Sequence, residues 1–255
     1  MENNSQELCS TPEPEVPSSE KRHLPFRKSA GTYIVLIFLI FAFPGFNLIV
    51  AYIGGNEIDF SQFDPILFFF LPTIIMLWSF VLVILLALWR EKSSLSSIGM
   101  GFPTLAHLGL GIGFLLISNI SLVIIQGILK LFGIPFNNNT DQILAIASDH
   151  IGWWLVISIT AGVCEEIVYR GYLMTRIKGI IGRGWVIPII GSVFAFSSGH
   201  LYQGTGGVIV ITLYGAMFCG LYILTGSIWP GIIAHFIQDF SAVYVYRLAK
   251  MFGAI

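Results

Sequence analysis

The segment Glu165-Glu166-Ile-Val-Tyr-Arg170 sets two carboxylates and a guanidinium inside a long apolar stretch. An ionisable group at bilayer depth costs about 2.5 to 3.5 kcal/mol or more, so such groups face a bundle interior, pair with one another or serve a function. Successive residues of a helix point about 100° apart, so Glu165 and Glu166 are expected to face different partners and to do different work. Glu166 and Arg170 are spaced i, i+4 with the acid N-terminal, the better order for an intrahelical ion pair. They are read as a structural pair, which leaves Glu165 as the free carboxylate.

Two further segments carry polar groups on apolar helices. The first is Phe196-Ser-Ser-Gly-His200. If the stretch from Gly179 to Gly184 is a tight hairpin, Glu165 and His200 both sit about 21 to 24 Å from it along antiparallel helices, at 1.5 Å per residue, and can meet. The helix bearing Glu165 must then run unbroken through Arg176, so Arg170 and Arg176 have to face a cavity or snorkel. The second segment is His235-Phe-Ile-Gln-Asp239, whose His and Asp share one helical face. Before it, Gly226-Ser-Ile-Trp-Pro-Gly231 breaks the helix and lets backbone enter the membrane beside a cavity. His107 has no partner at helical spacing and is read as a packing or interfacial residue.

Two chemistries fit these groups. In one, Glu165 and His200 hold and deprotonate a water that attacks a carbonyl, while His235 and Asp239 stabilise the tetrahedral oxyanion. A carboxylate donates to an oxyanion only when protonated, so Asp239 is either kept neutral or serves to hold His235 as the donor. In the other, Glu165, His200 and His235 bind Zn²⁺ with a position left open for water. The HExxH of many zinc proteases is absent. A metal-free site is the favoured expectation.

The elements that must position these residues are membrane spans. Of 255 residues, 55% are hydrophobic and 11% charged, with mean hydropathy +0.82, against about 25% charged in an ordinary soluble domain. No Asp, Glu, Lys or Arg occurs from Ala30 to Asn56, Pro65 to Trp89, Ser93 to Leu129 or Gly184 to Gln238. Because about 20 residues cross the hydrocarbon core, the first three runs hold one span each and the last at least two. The expected fold is all-α, a polytopic transmembrane helix bundle of about seven spans (six to eight). They run roughly over Thr32 to Tyr52, Ile66 to Trp89, Thr104 to Phe132, Trp153 to Lys178, Trp185 to Tyr202, Val208 to Leu224 and Pro230 to Leu248.

Lys21, Arg22, Arg27 and Lys28 precede the first span, Arg90 and Lys92 follow the second, and Lys178 and Arg183 follow the fourth. The alternate connections, Gly54 to Asp64 and Gly133 to His150, hold no Lys or Arg. The positive-inside rule then places the N-terminus in the cytoplasm. Arg247 and Lys250 fall on the outer side in this count, a mild conflict. Residues 1–28 have the composition of a disordered tail, and Gly133 to His150 reads as a loop. The net charge of -1 and the lack of a basic stripe exclude nucleic acid as a partner. Cys9, Cys164 and Cys219 form no CxxC and suggest neither a disulfide framework nor a zinc knuckle.

Taken together, the motifs resemble the CPBP family of intramembrane proteases, which includes the CAAX prenyl endopeptidases and the bacterial bacteriocin-processing or immunity proteins of the Abi group. The resemblance rests on Glu165-Glu166-x-x-x-Arg170 continuing as Gly171-Tyr-Leu, on Phe196-x-x-x-His200, and on His235-x-x-x-Asp239 after Gly-Ser-Ile-Trp-Pro. It spans about residues 150 to 246. It implies a membrane-embedded hydrolase, an endopeptidase in which Glu165 and His200 activate water, His235 and Asp239 form the oxyanion site, and Glu166 and Arg170 are a supporting pair. Such proteins were first named metalloproteases; a glutamate-protease view needs no metal. The last motif ends in Asp239, where CAAX endopeptidases carry Asn, so CAAX specificity does not transfer directly.

The domain division expected is a tail over 1–28, N-terminal transmembrane helices over 29–149 and a catalytic transmembrane core over 150–255. The expected function is cleavage of a membrane-associated or lipidated peptide or protein near the cytoplasmic side of the bilayer, in a bacterial plasma membrane. The competing readings are a non-enzymatic scaffold or bacteriocin-immunity protein that keeps the polar cluster as a structural core, and a proton-coupled transporter. The lack of paired discontinuous helices in two similar halves counts against the transporter.

Overall fold

The computed structural model describes residues 26–54 and 63–253. Most of the expected tail, with Cys9, lies outside them. Among the described residues there is no strand, and the chain forms a bundle of eight helices. They are α1 (Ala30–Ile53), α2 (Ile66–Glu91), α3 (Leu105–Leu131), α4 (Asn139–Asp149), α5 (Ile151–Ile181), α6 (Val186–Ser198), α7 (Gly204–Thr225) and α8 (Trp229–Met251). A helical fold is what lipid demands, because every backbone polar group must be satisfied within its own segment.

Helix ends follow from local chemistry. Ser29 and Thr32 form a capping box at the start of α1, and Thr104 and His107 form another at the start of α3. His107, expected to pack or to sit at the interface, therefore satisfies an orphan backbone donor of the first turn. Gly182 (φ 80°) ends α5 and Gly226 (φ 64°) ends α7. Both lie in the left-handed region that an L side chain rarely adopts.

Helices α1, α2, α3, α5 and α7 are long and apolar enough to cross a membrane. The most apolar stretch of α3 is only 11% buried in the bundle, so its Ile117, Ile120 and Val123 face the lipid. Two elements differ from expectation. The fifth proposed span, Trp185 to Tyr202, is realised as a helix of 13 residues ending at Ser198, followed by a short 3-10 turn over Leu201–Gln203. The Gly133 to His150 stretch, expected as a loop, contains α4, which is 11 residues long. One face of α4, Ile143 and Ala147, is buried against Phe70, Trp154 and Val243. Its polar composition concealed a short amphipathic pattern that only tertiary packing stabilises.

The core sits around α5. Residues Glu166 to Thr175 and Arg176 are all buried, and α2, α6, α7 and α8 pack about this segment. Close approach is permitted by small residues: a Cβ on Gly162 of α5 would come within 3.0 Å of the backbone nitrogen of Phe236 in α8.

Candidate active site

α5 is one continuous rod, but its middle, Glu166–Met174, is wound as a π-helix. Wide turns of this kind concentrate at functional sites, because the extra residue re-aims side chains. Here the change begins beside the two carboxylates. Glu166 pairs with Arg170 at 2.8 Å, as the i, i+4 spacing predicts, and both are buried. Arg170 also donates to the carbonyl of Gly215 at 3.2 Å and lies over the rings of Phe196 and Phe218, at 4.4 and 5.0 Å.

The expectation that Glu165 and Glu166 face different partners is corrected by the geometry. Both approach the ring of His235, on opposite edges: Glu166 Oε1 lies 3.3 Å from Nδ1 and Glu165 Oε2 lies 3.7 Å from Nε2. Asp239 Oδ2 reaches the same Nε2 at 3.6 Å from one turn further along α8. A single ring placed between adjacent helical residues accepts both without either turning away. A carboxylate is only an acceptor, so the Glu166 contact requires an N–H at Nδ1. The contacts at Nε2 exceed normal hydrogen-bond length and leave that nitrogen uncommitted. Glu166 needs space to reach the ring, and Gly231 supplies it: a Cβ there would meet Glu166 Oε2 at 2.6 Å.

His200 sits just past the end of α6, where a helix terminates inside the bundle and leaves carbonyls without intrahelical donors. Its Nδ1 meets the carbonyl oxygen of Phe196 at 3.0 Å. The carbonyl can only accept, so Nδ1 carries the proton and the neutral ring keeps its lone pair at Nε2. Tyr202 stacks on the other side of the ring, with centroids 6.0 Å apart, and is itself pinned by Asn137 and Asn139, which donate to its carbonyl at 2.7 Å.

Glu165, His200, His235 and Asp239 line one cavity of about 470 Å³. Glu165 Oε2 is buried and accepts no hydrogen bond. The carboxylate approaches His235 rather than His200, so the expected meeting of Glu165 and His200 is a sharing of the cavity wall and not a contact. Among the described residues, no group of three or more His, Cys, Asp or Glu side chains has the arrangement to hold a metal ion. Glu165, His200 and His235 as placed do not fit as a zinc ligand set.

One buried pair was not read from the sequence. Glu91, at the end of α2, meets Arg176 of α5 at 2.8 Å, with both side chains almost wholly buried. The carboxylate also accepts from the hydroxyls of Thr32 and Tyr172, each at 2.8 Å, and Arg176 donates to Ser97 Oγ at 2.9 Å. Arg176 thus neither snorkels nor faces the cavity. The only available signal was an acid between Arg90 and Lys92, which reads as a solvated charge run.

The same region carries a likeness to known proteins. Residues 147–241 match the family described as type II CAAX prenyl endopeptidase Rce1-like. The likeness covers these residues alone. The matched stretch begins in α4 and ends in α8, and it contains Glu165, Glu166, Arg170, His200, His235 and Asp239. No curated protein and no solved structure matches the chain. The cavity is completed from outside the matched stretch, by Phe43 and Asn47 of α1 and Phe69, Thr73 and Met76 of α2.

Proposed function

We propose that the chain is an intramembrane endopeptidase in which Glu165 and His200 activate water and His235, aided by Asp239, binds the oxyanion. The observation that carries this reading is the buried Glu165 oxygen without a hydrogen-bond partner, on the wall of a cavity that also holds a free His200 lone pair. A water in the cavity gives its proton to this pair as its oxygen bonds to the scissile carbonyl carbon. The carbonyl oxygen takes up the negative charge, and His235 donates to it from Nε2 as the imidazolium, with Nδ1–H held by Glu166 and the ring's charge balanced by Glu165, Glu166 and Asp239. The C–N bond then breaks, the carbonyl re-forms, and the amine leaves with the proton that the base had taken. Glu166 holds His235 at Nδ1 and is itself held by Arg170, so both position the donor without touching substrate.

The substrate is a peptide or protein associated with the membrane, because the cavity lies within a bundle of membrane-length helices and is lined mostly by apolar side chains. The matching family description names a type II CAAX prenyl endopeptidase; Asp239 stands where CAAX endopeptidases carry Asn, so CAAX specificity is not carried over. The test is terminal-peptide profiling of membranes carrying the wild-type chain or Glu165→Gln. Peptides that appear only with the wild type identify substrates, and the absence of any such peptide overturns the protease reading in favour of a scaffold. Chelation settles the metal question: unchanged cleavage supports the metal-free site, and loss restored by Zn²⁺ replaces it.

A further inference from the structure

We infer that the cavity is entered from the end of the bundle that carries α4, which is the extracytoplasmic end, and that its substrate is a peptide segment presented from that side. This rests on the protease reading for the word substrate, but not for the side of access.

Apart from Tyr169 of α5 and from α8, where His235 lies in the first half, the wall residues keep to one half of each helix. In α1 they are Phe43 and Asn47, in the half nearer its C-terminus; in α2 they are Phe69 to Leu77, in the half nearer its N-terminus. Thr140, Ile143 and Leu144 of α4 complete the rim, and α7 contributes Ile211 and Tyr214 from its first half. Chain direction reverses between successive spans, so these halves all point toward one end. That end holds the α3–α4–α5 connection and the α6–α7 turn. Arg27, Lys28, Arg90, Lys92, Lys178 and Arg183 lie at the other end, against Lys130, Arg247 and Lys250 at this one, so the other end is the more basic. By the positive-inside rule the basic end is cytoplasmic. The proposed side of access thus differs from the expectation, drawn from the sequence, of a site near the cytoplasmic face.

The cytoplasmic end is also closed. Below the cavity come the buried Glu166–Arg170 pair and, two turns further along α5, the buried Glu91–Arg176 pair with Thr32, Tyr172 and Ser97. The ring of Phe26 lies over Arg176 at 4.7 Å, and Ile98 and Met174 are fully buried in the same layer. A peptide entering from this end would have to separate two desolvated ion pairs. Among the described residues the opposite rim has no such layer: Thr140 is exposed, and inside it Asn47 Nδ2 and Glu165 Oε2 are buried without hydrogen-bond partners. An amide donor and a carboxylate acceptor left open along an apolar wall suit an extended backbone, which brings one N–H and one C=O per residue.

The test is cysteine labelling of the full chain with Cys9, Cys164 and Cys219 replaced by alanine, in right-side-out and inside-out vesicles. Thr140→Cys on the rim and Thr73→Cys on the inner wall are expected to react with a membrane-impermeant maleimide in right-side-out vesicles. Ser96→Cys, at the basic end, is expected to react only in inside-out vesicles. The opposite pattern overturns the inference, and so does labelling of Thr140→Cys with no labelling of Thr73→Cys from either side. Monodispersity in detergent confirms that each variant is folded. Labelling does not depend on catalysis: repeating it with Glu165→Gln gives the same pattern if access alone is read. An apolar fluorogenic peptide added outside is then expected to be cut by right-side-out vesicles. If labelling is as expected and the peptide is cut from neither side, protease action fails while the side of access stands.

Discussion

A group removes a proton from water only if its lone pair is uncommitted, and the two carboxylates on α5 differ in this respect. Glu166 is saturated by Arg170 and His235, whereas Glu165 Oε2 has no donor. Glu165→Gln is therefore expected to fold with a melting temperature near that of the wild type and to lose about 10²- to 10⁴-fold in turnover, measured on any peptide found by profiling. Arg170→Met is expected to fail differently. It strands a buried carboxylate and should cost about 3 to 5 kcal/mol of stability, seen as a large drop in melting temperature in detergent. Gly231→Ala tests the positioning of His235, since the new methyl group collides with Glu166 Oε2. Its activity is expected to fall more than tenfold, as misplacement by about 1 Å commonly costs about a hundredfold. The Glu166–Arg170 pair was legible in the sequence because its partners are one turn apart. The sharing of His235 by Glu165 and Glu166 was not, because it depends on where α8 packs against α5.

At the scale of elements, what could be read from periodicity was read, and what depends on distant packing was missed. The apolar runs located α1, α2, α3, α5, α7 and α8 to within a few residues, since a charge-free run of about 20 residues has few other uses. A π-wound segment has no signature in a pattern with period 3.6, so Glu166–Met174 passed as ordinary helix. The Glu91–Arg176 contact joins residues 85 apart in the chain, and no local spacing announces it. Its energetics make a specific pattern in a double-mutant cycle. Glu91→Gln and Arg176→Met alone each leave a desolvated charge and are expected to destabilise strongly. The double variant is expected to be milder than the sum by about 1 to 3 kcal/mol, measured by thermal unfolding in detergent.

The whole molecule is an apolar shell around a narrow polar axis. Its outward faces, such as Ile117 and Ile120 on α3, are 63% exposed in the isolated chain, which water would not tolerate and lipid does. Placing a charge there tests the membrane reading directly. Ile120→Lys is expected to weaken insertion of α3 by about 2.5 to 3.5 kcal/mol in a glycosylation-based insertion assay, whereas Thr140→Lys, at the rim, is expected to insert normally. The polar axis runs from the exposed edge of Asp239 through His235 to Glu165 and Glu166, then to the two arginines of α5. Charge is buried only where another charge or a cavity meets it.

The brevity of α6 reaches beyond the protein. Its 13 residues measure about 20 Å at 1.5 Å per residue, against about 30 Å of hydrocarbon in a typical bilayer. Val186, Ile187, Ile190 and Phe194 turn this short rod outward to the surrounding lipid. Acyl chains beside it must compress or tilt to match, at a cost of fractions of a kcal/mol per Å. His200 hangs from the end of that rod, so the thickness of the host membrane bears on the placement of a proposed water-activating nitrogen. In vesicles of phosphatidylcholines with successively longer chains, turnover should change with chain length even though no lipid enters the reaction.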